Sequence, residues 1–120
     1  MTLIPSESYP IMESLWDLID WRADATPEGA LAYDEADRSI TSGAYREAVL
    51  RTAAGLWDQG VRPGDTVSWI LPTWIEATIV TGALDRLGTR QNPVLPIYRD
   101  REVGFIARQL QPHHFITTPL

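Results

Sequence analysis

Hydrophobic and polar positions alternate with a helical period over the first half of the chain. Leu15, Leu18 and Ile19 recur at helical spacing between about Glu13 and Ala25, and the stem of Arg22 extends their stripe. Trp16 and Trp21 lie five apart and cannot share one narrow face, so one of them is expected to be partly exposed. Thr26-Pro27 ends this helix, because proline disfavours helical geometry in the residue before it. Ala30–Tyr33 and Ser39–Thr41 read as two short strands of a hairpin around the acidic turn Asp34-Glu35-Ala36-Asp37. Thr41 or Ser42 then caps a long helix to about Gln59, with Tyr45, Ala48, Val49, Thr52 and Leu56 inward. Gly60 suits the left-handed position just past its end, and Val61-Arg62-Pro63-Gly64-Asp65 is a turn.

From Thr66 onward the pattern changes. Thr66–Leu71 reads as a buried strand, broken by Pro72. Thr73, with Glu76 three residues later, predicts a capping box. Ala77, Val80, Thr81, Leu84 and Leu87 follow on one helical face, and Gly88 ends the helix. Gly82 inside it costs about 1 kcal/mol against alanine, which close packing of helix on sheet would explain. Thr89–Gln91 is a short strand and Asn92–Tyr98 an irregular loop. Asp100 caps a helix from about Arg101 to Gln111, with Val103, Ile106, Ala107 and Leu110 inward. Pro112 precedes a last strand, about His113 to Thr117.

Strand, helix, strand, helix, strand implies a parallel sheet with right-handed crossovers. The expected fold class is therefore α/β: a partial parallel sheet with flanking helices, preceded by a short β-hairpin. Residues 1–12, with Pro5 and Pro10, read as a loose lead-in, and 13–120 as an incomplete domain. Parallel sheets bury both faces under helices, yet no helix follows the final strand, so the ending at Leu120 reads as a cut.

Composition narrows the classes of function. A chain of 120 residues holds one compact domain, and 44% apolar with 22% charged residues suits an ordinary globular one. The formal net charge is −6 and all ten basic residues are arginine, which argues against nucleic-acid backbones and anionic membranes as partners. With no cysteine, disulfides and thiolate chemistry are excluded. The start MTLIPSESYP lacks the basic end and apolar run of a secretion signal. No apolar run approaches the roughly 20 residues that span a bilayer. A cytoplasmic protein is expected.

Five segments in order carry a family resemblance. They are Tyr45-Arg46-Glu47-Ala48 with Ala54-Gly55-Leu56, the turn and strand from Gly60 to Val67, Leu71-Pro72-Thr73-Trp74-Ile75-Glu76 with Gly82-Ala83, Gly88-Thr89-Arg90-Gln91-Asn92-Pro93, and Arg101-Glu102-Val103 with Phe105-Ile106. Together, over about residues 14 to 118, they resemble the N-terminal part of the large domain of adenylate-forming (AMP-binding) enzymes, the acyl-CoA synthetases or fatty-acid–CoA ligases. The Trp-Ile-Glu and Gln-Asn-Pro details lean toward the branch acting on fatty, alicyclic or aryl acids. The resemblance implies an ATP-dependent acid–thiol ligase. In such an enzyme a carboxylate attacks the α-phosphate of Mg·ATP, giving an acyl-adenylate and pyrophosphate, and coenzyme A then displaces AMP. ATP, Mg and coenzyme A are thus implied for the full-length family, with a carboxylic acid and coenzyme A as partners. Such a site must hold phosphates, a divalent metal and a cation near the developing charge. The family's phosphate loop is rich in Ser, Thr and Gly and ends near a lysine. This chain has no such run and no lysine. No catalytic, cofactor-binding or metal-binding residue is carried across, and no cofactor is expected on this piece alone.

The remaining candidates have plainer readings. Leu71-Pro72-Thr73-Trp74 sits at a strand's carboxyl end, where α/β sheets bind ligands, but lacks the glycines that let a phosphate approach. Asp34, Glu35 and Asp37 read as a solvated turn, since Ca²⁺ asks for about six or more oxygens. His113 and His114, adjacent on a strand, point to opposite faces and cannot easily share an ion. Arg99 and Arg101 flank a helix start where a coenzyme phosphate could sit, but Asp100 and Glu102 interleave as neutralising charges. Asn92 reads as a loop amide satisfying backbone groups, with pocket lining as the other reading. Trp57, Trp69 and Trp74 are expected in the core or a helix interface. The leading expectation is a fragment of an acyl-CoA ligase that is inactive alone. A non-enzymatic interaction protein is the alternative, since unpaired strand edges invite a partner. An ordinary nucleotide-binding domain is a third reading, weakened by the missing glycine fingerprint.

Overall fold

The computed structural model describes residues 12–119. The expected lead-in therefore lies, save Met12, outside the described residues. The elements run α1 (Leu15–Ala25), β1 (Ala30–Tyr33), β2 (Ser39–Thr41), α2 (Ser42–Asp58), β3 (Thr66–Ile70), α3 (Ile75–Leu87), β4 (Arg90–Pro93), α4 (Asp100–Leu110) and β5 (His114–Thr117). β1 and β2 form an antiparallel hairpin, and β4-β3-β5 a parallel sheet with β3 in the middle.

Local chemistry explains most boundaries. Ser14 caps α1, its hydroxyl accepting from Asp17 N–H at 3.1 Å, and Thr41 caps α2 by accepting from Ala44 N–H at 3.1 Å. Gly60 and Gly88 end α2 and α3 with φ of 101° and 74°, a region closed to most side chains. Pro93 offers no N–H, which an edge strand tolerates, and the ladder continues when Val94 N–H donates to the Trp69 carbonyl at 2.8 Å.

The core has two joined parts. Ile19, Tyr45, Val49, Ala53 and Ala83 hold α1, α2 and α3 together, while Val61, Val67 and Leu84 seat α3 on the sheet. Leu56 and Leu87 pack against both. Leu84 is fully buried, which stabilises the fold by roughly 1.5–3 kcal/mol.

Several expectations need correction. On α1 the buried residues are Ile19 and Ala23, with Trp16 packed beside them, and Leu15 and Leu18 are exposed. Residues 16, 19 and 23 are spaced i, i+3, i+7 and so share one face of the helix. On α2 the buried set is Ser42, Tyr45, Val49 and Ala53, with Ala48 and Thr52 only half-buried. The Thr73–Glu76 capping box does not form. Trp74 is the N-cap, its indole offers no acceptor for a cap bond, and Glu76 falls at the second helical position and pairs with Arg38. Gly82 is explained by a helix and not by the sheet. A Cβ there would lie 2.5 Å from Tyr45 Oη and 2.7 Å from Val49 Cγ2, both on α2. At α4 the N-cap is Arg99, whose N–H donates to Glu102 Oε2 at 3.1 Å, and Asp100 opens the helix.

The sheet's winding sets what lies on each face. The chain steps from β3 to β4 in one direction and then crosses back over β3 to β5. Two right-handed crossovers in opposite directions put α3 and α4 on opposite faces. The strand pattern agrees: Val67, Trp69 and Ile116 join the α3 cluster, whereas Ser68 and Phe115 alternate to the other side. On that second face α4 buries no residue fully. Val103, Ile106 and Ala107 are half-buried and Leu110 is exposed, so the expected inward stripe is only partly covered.

Candidate functional site

In open α/β sheets, ligands collect at the carboxyl ends of the strands where the winding reverses. Here that point lies between β3 and β5, and the joint Leu71-Pro72-Thr73-Trp74 leads from it into α3. Trp69, Leu71, Trp74, Ala77, Thr78 and Thr81 are among the residues lining a shallow cleft of about 280 Å³. Anion binding at a helix start needs free N–H groups and favours positive charge. Pro72 has no N–H, Trp74 N–H already donates to the Pro72 carbonyl at 2.8 Å, and Glu76 puts a negative charge in the first turn. The residues present do not fit the phosphates of a nucleotide.

Arg38 stands nearby but is already engaged. Its guanidinium donates to both Glu76 oxygens at 2.7 and 2.9 Å and to Asp34 Oδ2 from Nε at 2.8 Å. The Arg38 hydrogen bond holds Glu76 below its ordinary range, and both carboxylates raise the arginine further. Burial opposes ionisation of Asp34, but bonds from Arg38 and Ala36 outweigh it and lower its pKa. This cluster ties the hairpin to the start of α3. It also occupies Asp34, the first acid of the expected turn, while Glu35 and Asp37 are exposed.

One side-chain network ties α3 to the sheet, and one bond ties α3 to α2. Trp69 Nε1 donates to Gln91 Oε1 at 3.1 Å, and Gln91 Nε2 donates to the Thr81 carbonyl and to Asp85 Oδ1 at 3.1 and 2.8 Å. Asp85 Oδ2 is buried without a hydrogen-bond partner among the described residues. Burial raises the Asp85 pKa, and the Gln91 bond offsets this only in part. Burial, with Asp85 nearby, also pushes the Tyr45 phenol up to about 12, so it stays a neutral donor to the Thr78 carbonyl at 2.8 Å. The Gln91–Asp85 pair gave no signal in the sequence, because it joins a strand residue to a helix residue that share no spacing pattern.

The histidines act separately. Thr66 N–H donates to His113 Nδ1 at 2.9 Å, and His114 Nε2 lies 3.0 Å from Asp65 Oδ2. The Arg62 backbone N–H and His114 together lower Asp65. No group of three or more His, Asp or Glu side chains among the described residues is placed to hold a metal. Asn92 Nδ2 donates to Ser68 Oγ at 3.0 Å across the β3–β4 ladder, a strand amide and not a loop one. Trp69 packs on the core as expected, but Trp57 and Trp74 are 44% and 41% exposed. Trp57 is covered by Arg62, whose guanidinium stands 3.7 Å from the ring centroid. Arg99 and Arg101 form no ion pair with Asp100 or Glu102 among the described residues, so the expected neutralisation is one of proximity only.

These features define an α/β unit: a parallel sheet with helices on both faces, led in by a hairpin. The family model "AMP-binding enzyme" matches residues 19–119, and the chain belongs to that family. It is 28% identical over 107 residues to the medium-chain fatty-acid–CoA ligase of Escherichia coli (strain K12), a match that covers 89% of this chain and 19% of that protein. The N-terminal subdomain of Klebsiella oxytoca NpsA shares the fold with a TM-score of 0.82 at 23% identity, over 88% of this chain and 28% of that one. A Mycobacterium tuberculosis fatty acyl CoA synthetase aligns with a TM-score of 0.79 at 23% identity, over 87% and 21%. The chain thus spans between about a fifth and somewhat over a quarter of the length of these relatives. Among the described residues no helix is long and apolar enough to cross a membrane.

Proposed function

We propose that this chain is a scaffold portion of an ATP-dependent acyl-CoA ligase, in which a carboxylic acid is adenylated and then passed to coenzyme A. In this reading residues 13–120 form part of the AMP-binding domain and work in the cytoplasm. They supply strands and helices that position machinery carried elsewhere, and on their own they are inactive. ATP, Mg and coenzyme A belong to the whole enzyme. The observation that carries the reading is the joint after β3, where the ligand-binding end of the sheet holds Pro72, an N–H already engaged and Glu76. Isothermal titration of the purified chain with Mg·ATP is expected to give no saturable heat, and micromolar binding would refute the reading.

A second reading is an interaction protein derived from a synthetase. Its support is the sheet, whose outer strands β4 and β5 have no further partner strand among the described residues. Isolation of a stable 1:1 complex with another protein supports it, and a chain that remains without any partner counts against it.

A further inference from the structure

The outer face of α4 has a character of its own. Arg101, Phe105 and Arg108 are spaced i, i+4, i+7 and so stand on one face of the helix. It is the face turned away from the half-buried stripe of Val103, Ile106 and Ala107. Phe105 is 58% exposed and Tyr98 41%, and with Arg101 and Arg108 they line a cleft of about 450 Å³. Neither arginine side chain has a hydrogen-bonding or ion-pair partner among the described residues. Glu102 also lines the cleft, but one of its oxygens accepts from Arg99 N–H. From Tyr98 to Gln111 there are three arginines against Asp100 and Glu102, a local charge of +1 in a chain of −6. An exposed aromatic centre between two unpaired arginines fits an acidic, amphipathic surface.

The chain itself carries one. At the hairpin end Tyr33 is 75% exposed, and Leu31, on the same side of β1, is exposed as well. Glu35 and Asp37 follow at the turn with no side-chain partner among the described residues, while Asp34 and Arg38 satisfy each other. Arg101 and Arg108 on α4 are opposite in charge to Glu35 and Asp37 at the turn, and each surface has large apolar side chains beside them. We propose that the hairpin end of one copy docks on the outer face of α4 of a second copy, with Glu35 and Asp37 meeting Arg101 and Arg108 around a contact of Tyr33 with Phe105 and Tyr98. This does not rest on the ligase reading, since it uses neither nucleotide nor acid.

A hairpin end against one helix face is smaller than the roughly 1,200–2,000 Å² of stable complexes, so the association is weak and salt-sensitive. Sedimentation velocity reads it. At low salt the sedimentation coefficient is expected to rise from about 10 μM to about 1 mM chain, and to rise less in about 0.5 M salt. Arg101→Glu with Arg108→Glu is expected to abolish the rise, and so is Glu35→Arg with Asp37→Arg. Mixing the two charge-reversed proteins restores it, because each then offers the surface the other lacks. The neutral variants Tyr33→Ser and Phe105→Ser, which keep every charge, each weaken association severalfold. A coefficient that does not change with concentration overturns the proposal. So does association that survives either charge reversal, or a mixture that stays monomeric.

Discussion

Replacing Gly82 by alanine sets two effects of known sign against each other. Alanine in a helix interior is favoured over glycine by about 1 kcal/mol, so propensity alone predicts a more stable protein. Space predicts the opposite. The added Cβ would stand 2.5 Å from Tyr45 Oη, 2.7 Å from Val49 Cγ2 and 3.1 Å from Tyr45 Cζ. Val49 is fully buried in the seam between α2 and α3 and cannot simply turn away. Relief requires the two helices to part or Tyr45 to swing out. Overfilling a packed core costs about 1–3 kcal/mol. Loss of the 2.8 Å Tyr45–Thr78 hydrogen bond adds about 0.5–1.5 kcal/mol. The net expectation for Gly82→Ala is a loss of about 0.5–3.5 kcal/mol, or roughly 2–14 °C in Tm for a chain of this size. Thermal unfolding followed by circular dichroism gives the answer directly. Tyr45→Phe provides an internal control. Removing Oη deletes the closest contact, so this change should cost less in the Gly82→Ala background than in the wild type. A rise in Tm for Gly82→Ala would refute the argument that α2, not propensity, dictates glycine at this position.

Other consequences follow from the same contacts. Tyr45→Phe in the wild-type background is expected to cost about 0.5–1 kcal/mol by urea unfolding, at the low end because the Thr78 carbonyl also lies within a helix. The Asp85 pKa is raised in the fold, so its ionised form weakens the protein at neutral pH and the group adds stability as pH falls toward its ordinary value. Asp85→Asn should therefore raise the urea midpoint at pH 7, with a gain that shrinks on acidification. Glu76 and Asp65 are lowered, so their contribution is present above the ordinary carboxylate range of about 4 and is lost as pH falls through their folded values. Acid titration of the unfolding midpoint is expected to fall off below about pH 4 in the wild type and to flatten in Glu76→Gln.

Element types were readable from the sequence because each carries its own punctuation. Thr41, Gly60 and Gly88 mark helix ends through bonds and backbone angles that involve only near neighbours. What the sequence concealed depends on pairs far apart in the chain. Glu76 looked like half of a capping box, and its true partner, Arg38, lies 38 residues away. Gly82 signalled a close approach and pointed to the sheet, whereas the neighbours are Tyr45 and Val49 on α2. The face of α1 was misjudged because Leu15 and Leu18 outrank Ala23 in hydrophobicity, whereas a tight three-helix seam favours small size. At the joint after β3 the sequence shows the absence of the glycines that let a phosphate approach. The engaged Trp74 N–H and the placement of the Glu76 charge are visible only in the geometry.

The most direct measurement of the central proposal is carboxylate-dependent ATP–pyrophosphate exchange by the purified 120-residue chain, assayed with Mg²⁺ and a panel of straight-chain, alicyclic and aryl acids. A scaffold portion that carries no adenylating machinery gives exchange no faster than the protein-free control with every acid. Exchange that rises in proportion to chain concentration and depends on a particular acid would contradict it.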